Sequence, residues 1–194
     1  MRLALASTSP YRKSLLARIV SEFTIVDPGV DESAAELDSL SPHDRARELA
    51  CRKALAGARR CPGAIVLGSD QVCALGDQVL DKPGSVERAI AQLRRLSGRT
   101  HSLITAVALA RAGESECFAT FAVVSRMRMR ALSDSQLAAY VAADQPLDCA
   151  GSYRIEGRGI GLFDAVESSD WNAIVGLPLL MTRAALVAAG VDLS

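Results

Sequence analysis

Apolar and polar positions follow two rhythms along the chain. The opening "MRLALAS" is a short apolar run closed by turn residues, which predicts a buried strand. Ser9 then stands where a helix N-cap belongs and Pro10 suits the first helical position, with Leu15, Leu16 and Ile19 recurring on one face. A second helix is predicted in "SPHDRARELACRKALAGA", capped by Ser41, started by Pro42 and striped by Ala46, Leu49, Ala50 and Ala54. "AIVLGSDQVCAL" begins as a β-branched, apolar strand from Ala64 to Leu67 and runs into Gly68, Ser69, Asp70 and Gln71. Gly76 and Asp77 predict a hairpin turn. Ser85 caps a helix with Ile90, Leu93 and Leu96 inward, and Gly98 ends it. From Arg99 to Arg130 the pattern predicts a long β-hairpin, "THSLITAVALAR" and "CFATFAVVSRMRMR" joined by "AGESE". Ser133 caps a short helix bearing Leu137, Tyr140 and Val141, and a last helix runs from Pro178 to about Ala189. With no internal repeat and no linker, the expectation is one domain over residues 1–194.

Composition narrows the function. Hydrophobic residues make up 49% of the chain and charged ones 23%, enough for a real core. Twenty-two basic side chains balance twenty-two acidic ones, which argues against a broad nucleic-acid or membrane surface but leaves room for a local anion pocket. No apolar run reaches the length of a membrane span, and the start lacks the basic–apolar–small order of a signal peptide. The five cysteines (Cys51, Cys61, Cys73, Cys117 and Cys149) show no CxxC spacing. They read as mostly buried, reduced thiols of a cytoplasmic protein.

Candidate chemistry sits at the ends of these elements. The first turn gathers Ser7, Ser9, Arg12, Lys13 and open backbone N–H groups, an assembly suited to phosphate; the same pattern also fits an ordinary capped helix with solvated cations. Asp70, placed at a strand end after a glycine that admits a ligand, suits catalysis or caps a turn. Lys53 lies at the edge of the core or snorkels to solvent. Asp27, Asp31 and Glu32 share a turn-rich loop, and Lys82 is held extended before Pro83. Arg126, Arg128 and Arg130 point to one strand face, best read as solvated. The glycine-rich "CAGSYRIEGRGIGLF" lacks a dinucleotide setting, there is no P-loop, and His43 and His101 accompany no nucleophile elbow. Pooled, carboxylates that can hold Mg²⁺ or Mn²⁺ and accept a proton, with cations for phosphates, indicate a metal-assisted hydrolase of nucleotides or phosphate esters.

"LASTSPYRKSLL", "GSDQV", "DKP", "LSG", "CAGSYRIEGRGIGLF" and "NAIVGLPL", in this order, resemble the Maf family of nucleotide pyrophosphatases over nearly the whole chain. The resemblance implies an α/β fold: an elongated mixed sheet flanked by helices, with two lobes and a central cleft, similar to inosine-triphosphate pyrophosphatases. It implies water attack on the α-phosphorus of a nucleoside triphosphate with a divalent cation (Mg²⁺, Mn²⁺ or Co²⁺). Asp70 matches the proton acceptor, Ser7, Arg12, Lys53 and Lys82 the phosphate side, and Glu32, with Asp70, the metal. Gln71 in place of threonine, Glu156, and Tyr11 where tryptophan is frequent resemble the branch converting 7-methyl-GTP to 7-methyl-GMP and pyrophosphate. An aromatic face and a carboxylate suit a cationic base. Asp81 stands where glycine is frequent and adds a negative charge beside Lys82. The alternatives are the dTTP/UTP branch and a non-catalytic nucleotide-binding regulator of septum formation. The implied partner is a small-molecule nucleotide, with no stable nucleic acid and no membrane; a homodimer is compatible with this.

Overall fold

The computed structural model describes residues 1–193. A seven-stranded mixed sheet organises the chain in the order β2-β1-β3-β5-β6-β7, with β4 paired to β3. The strands are β1 (Arg2–Ala6), β2 (Thr24–Val26), β3 (Ala64–Leu75), β4 (Gln78–Val79), β5 (Thr100–Arg111), β6 (Ala119–Met129) and β7 (Phe163–Glu167). The helices are α1 (Pro10–Leu16), α2 (Pro42–Arg60), α3 (Val86–Leu96), α4 (Asp134–Asp144), α5 (Trp171–Val175) and α6 (Leu179–Ala188). β2 and β3 run parallel to β1, and the other pairings are antiparallel. The expected caps form: Ser9, Ser41, Ser85 and Ser133 each accept a backbone N–H, and Ser133 with Gln136 completes a capping box. Among the described residues no helix is long and apolar enough to cross a membrane.

The two faces of the sheet are packed differently, and strand alternation decides which residue goes where. On one face Leu3, Leu5, Ile65, Leu67, Val107 and Leu109 meet Leu15, Leu16, Leu179 and Leu186 of α1 and α6. On the other, Ala4, Ala6, Val66, Ala106, Ala108 and Ala110 meet Ala46, Ala50, Ala54 and Ala58 of α2. Alanine against alanine brings the backbone of α2 close to the sheet. A Cβ on Gly68 would collide with the Ala50 carbonyl oxygen and the Ala54 nitrogen, and one on Gly57 would lie 2.8 Å from the Ala6 Cβ. Gly68 therefore admits a helix, not the ligand expected from its place before Asp70. A third cluster, with Leu93, Leu96, Met127, Met129, Leu137 and Tyr153, fills the far end of the hairpin. β5 serves both ends, through Leu103 in that cluster and Leu109 in the α1/α6 cluster. The result is two packed bodies sharing one long hairpin.

Other expectations need correction. The strand holding Asp70 does not end there but continues to Leu75, paired with β5 from Ile65 to Ala74. The cysteines are not all reduced: Cys51 and Cys117 form a disulfide, their Cα atoms 6.0 Å apart. Their 66-residue separation hides this from spacing rules; α2 lying across the hairpin brings them together. Of the free thiols only Cys73 is buried. Arg126 and Arg128 are solvated as expected, but Arg130 lies past the end of β6, half-buried, and donates to the Gly161 carbonyl at 2.9 Å; β7 and α5 form where the pattern predicts no regular element.

Overpacking a tight contact costs about 1–3 kcal/mol, and for a chain of this size each kcal/mol shifts Tm by about 2–4 °C. Gly68→Ala is expected to lower Tm by about 2–12 °C in scanning calorimetry. Gly161→Ala, whose Cβ would meet nothing within 4 Å, should leave it unchanged within about 1 °C.

Candidate active site

The cleft arises from unequal strand lengths. β1 ends at Ala6 opposite Gly68, while β4 takes up pairing only opposite Ala74. Between them Ser69–Cys73 of β3 have no strand on that edge. The opening is a cleft of about 920 Å³, within the size range of small-molecule sites. Ser7, Tyr11, Arg12, Glu32, Lys53, Asp70, Gln71, Lys82 and Glu156 all line it, so every residue singled out from the resemblance reaches one space. Lys13 does not; it is exposed. Neither His43 nor His101 lines the cleft; His101 is buried against the Tyr153 hydroxyl, 2.8 Å from its Nε2, and burial lowers its pKa to about 4.

Lys53 is the centre of the charged wall. Its Nζ lies 2.5 Å from Asp70 Oδ1 and 2.6 Å from Glu32 Oε1, and Lys82 Nζ lies 3.2 Å from Glu32 Oε2. Only 5% of the Lys53 side chain and 8% of the Asp70 side chain are exposed, against 60% for Lys82. Lys53 is thus neither a snorkelling lysine nor a bystander at the core edge. Burial pushes the Asp70 carboxyl above its ordinary range, while Lys53 and Arg12 pull it back. For Glu32 burial also opposes ionisation, but Lys53 and Lys82 outweigh it and hold the carboxyl at about 2. Among the described residues no group of three or more His, Cys, Asp or Glu side chains forms a ready cage for a metal. Two carboxylates converging on one ammonium still offer hard oxygen donors. They fit a cation such as Mg²⁺ that takes one or two carboxylates and completes its shell with water and substrate phosphates.

Adjacent residues of β3 serve opposite faces. Asp70 points to α2, and Gln71 to the α5 side, where its Nε2 donates to Thr105 Oγ1 (2.9 Å), the Ala173 carbonyl (2.9 Å) and the Ile174 carbonyl (3.0 Å). Ser69 Oγ and Arg12 Nε donate to the Gly176 carbonyl at 3.3 and 3.0 Å. These side chains meet the carbonyl end of α5, whose residues Ile174–Gly176 form a cleft wall. The amide donors of Gln71 are therefore engaged with the protein and not open to a base. In the first turn, Ser7 Oγ accepts from Ser9 N at 3.2 Å and Ser9 Oγ from Arg12 N at 3.4 Å, so two of the expected open N–H groups are already met.

Residues that sequence reasoning passed over line the cleft or brace its walls: Arg45 and Arg154 line it, while Asp170 and Thr105 lie outside the lining. Arg45, buried at the start of α2, donates to Asp38 and Asp81 at 3.2 and 3.1 Å. The unexplained acid at position 81 thus has a partner. Arg154 lies 6.0 Å above the Tyr11 ring and 3.6 Å from Asp148. Asp170, also buried, caps α5 through Asn172 N and accepts from Leu180 N at 2.7 Å, which fixes the last two helices to each other. Thr105 carried a readable signal, a hydroxyl inside the otherwise apolar run from Leu103 to Ala110 that must find a partner. The glycines around Glu156 do not open space for a ligand. A Cβ on Gly157 would lie 2.6 Å from Asp144 Oδ2, and one on Gly159 would collide with the Arg154 carbonyl.

Comparison with known proteins places the chain in a family. A family model described as "Maf-like protein" matches residues 2–189. The chain belongs to the Maf family. Among relatives of this Maf protein, one from Xanthomonas oryzae pv. oryzae (strain MAFF 311018) is 46% identical over 192 residues, covering 99% of this chain and 98% of that protein. One from Polaromonas sp. (strain JS666) is 44% identical over 191 residues, covering 98% and 86%. One from Pseudomonas putida (strain KT2440) is 44% identical over 178 residues, covering 92% and 91%. Each is named 7-methyl-GTP pyrophosphatase. In fold, this Maf protein is similar to the Ham1 protein of Staphylococcus aureus (TM-score 0.54, 14% identity, covering 97% of this chain and 100% of that one). It is also similar to a HAM1 protein from Coxiella burnetii (TM-score 0.50, 13% identity, covering 97% and 99%). The expected mixed sheet with flanking helices is thus the fold observed.

Removing the ammonium from Asp70 should raise its pKa further, since an opposite charge at this distance lowers a carboxyl by about 1–3 units. In Lys53→Met, ¹³C-detected NMR titration of the Asp70 carboxyl is expected to show a midpoint at least about 1 unit above wild type. An unchanged midpoint would mean that Lys53 does not govern Asp70.

Proposed function

We propose that this Maf protein hydrolyses 7-methyl-GTP to 7-methyl-GMP and pyrophosphate. The observation that carries the reading is the buried Lys53 held between Asp70 and Glu32 in a cleft that Lys82, Arg12 and Ser7 also line. A phosphoanhydride hydrolase needs these parts and no covalent nucleophile. The names of the relatives support the substrate.

In this reading Asp70 takes the proton of the water that attacks the α-phosphorus. Burial raises its basicity, while the charges of Lys53 and Arg12 favour its ionised form. Lys53, Lys82, Arg12 and Ser7 hold the triphosphate and stabilise the charge that develops on the leaving pyrophosphate. Glu32 and Asp70 would hold a divalent cation, Mg²⁺, Mn²⁺ or Co²⁺, which when bound supplies further neutralisation of the phosphate oxygens. On the other side, Tyr11 offers a ring to the base and Glu156 a carboxylate to its positive charge. Gln71 acts chiefly by fixing the α5 end as a wall, and the acceptor Oε1 is what it can still offer a base. A base stacking on Tyr11 takes the face over which Arg154 now lies. The substrate is a free nucleotide of the cytoplasmic pool.

A panel of GTP, 7-methyl-GTP, dTTP and UTP with Mg²⁺, Mn²⁺ or Co²⁺, monitored by pyrophosphate release, should show 7-methyl-GTP preferred. No release from any nucleotide would favour a binding protein, and preference for dTTP or UTP would overturn the substrate. General bases contribute about 10²–10⁴-fold, so Asp70→Asn should lower turnover by at least about a hundredfold. Because the folded state raises the Asp70 pKa, the ionised group costs stability at neutral pH and protonation relieves it. The neutral isostere should therefore keep or raise Tm at pH 7. A cation–π contact shielded from water is worth about 2 kcal/mol, about thirtyfold. Tyr11→Ala should lower the 7-methyl-GTP/UTP ratio of kcat/KM by up to about that factor, and Glu156→Gln should lower it too. A wild-type ratio in both variants would remove these residues from base selection.

A further inference from the structure

We propose that Arg45 is a positioning residue that holds two walls of the cleft in one register: the loop carrying Glu32 and the loop carrying Lys82. The inference rests on the reading of Glu32 and Lys82 as the metal and phosphate side of the site.

Arg45 lies in the first turn of α2, where the helix dipole disfavours a cation. It is nonetheless buried, with 9% of its side chain exposed, and among the described residues its guanidinium donates to groups of those two loops. Nη1 donates to Asp38 Oδ1 at 3.2 Å and Nη2 to the Glu32 carbonyl at 3.5 Å, both on the segment between β2 and α2. Nη2 also donates to Asp81 Oδ1 at 3.1 Å, next to Lys82. Asp38 and Asp81 keep 73% and 66% of their side chains exposed, so the loops come to the guanidinium and not the reverse.

The clamp uses different side chains from the Glu32–Lys82 contact. That ion pair connects the same two loops, but through groups the substrate would engage, so it loosens when a triphosphate and its cation arrive. Arg45 joins the loops through the Asp38 and Asp81 carboxylates, cleft groups to which the proposed function gives no substrate or cation contact, and so stays in place. A glycine at position 81, the residue that the resemblance makes frequent there, could not supply this carboxylate. Arg45 and Asp81 therefore form one device, which accounts for the acid beside Lys82.

The test compares wild type, Arg45→Met, Asp81→Asn and the double variant. Arg45→Met leaves only exposed acids behind, and Asp81→Asn changes an exposed side chain, so both should fold. The first readout is kcat/KM for 7-methyl-GTP and GTP. The second is Mn²⁺ affinity by EPR with the α,β-methylene analogue of 7-methyl-GTP, and the third is hydrogen exchange in residues 27–39 and 80–84. Each single change should lower kcat/KM about tenfold or more, equally for both nucleotides, and weaken Mn²⁺ binding by a similar factor. Exchange should quicken in both loops, and the double variant should be no worse than the worse single one. Equal losses from Arg45→Met with and without Asp81 would instead mean direct phosphate contact and overturn the proposal. So would a changed ranking of the two bases, or unaltered exchange in either loop. If wild type cleaves neither nucleotide, the functional reading fails, and the exchange data alone decide whether Arg45 clamps the loops.

Discussion

The contact between Lys53 and Asp70 imposes the strictest condition on this molecule. A lysine and a carboxylate can meet out of solvent only if the helix bearing one lies almost on the strand bearing the other, and only if each has further partners. The chain meets the first condition with alanines on both sides of the interface and with Gly57 and Gly68 at the closest points. It meets the second with Glu32 on Lys53 and with the nearby charge of Arg12 on Asp70. The alternation in "RLALA" is therefore more than a strand pattern: leucines face the adaptable side with α1 and α6, alanines the side where α2 must come close.

The cleft follows from the sheet. Where β1 stops and β4 has not begun, β3 turns consecutive side chains to opposite faces along an open edge. Asp70 and Gln71 can thus do unrelated work while adjacent in sequence, one against the charged wall of α2, the other bracing α5. The division between reacting groups and base-side groups in the proposed function has the same origin as the pleat.

Much of the architecture was legible. Serine caps, the prolines after Ser9 and Ser41, the hairpin from Arg99 to Arg130 and the amphipathic helices are local signals, and they appear where the pattern puts them. The resemblance brought to one cleft residues as distant as Ser7 and Glu156, which spacing alone could not do. What escaped depends on contacts between remote segments. Arg45 reads as one more charge on a helix until two loops fold over it. Gly68 reads as room for a ligand until α2 is seen to fill it. Cys51 and Cys117 read as separate thiols until α2 crosses the hairpin. Gln71 reads as a base-contacting amide until the carbonyls of α5 claim its donors.

The unequal faces of the sheet also set where the sequence is free to change. Leucine, isoleucine and valine can exchange volume with one another, because neighbouring side chains absorb a methylene by changing rotamer. An alanine packed against another helix's backbone has no such neighbour; it can shrink only to glycine and cannot grow. The α1/α6 side is therefore a reservoir of neutral variation. The α2 side is close to frozen even at positions such as Ala50, Ala54 and Ala108, which carry no chemistry. A library that randomises the first face should recover many folded members, and one that randomises the second very few. Residues in this chain can thus be intolerant of replacement because they are small, at a distance from anything that reacts.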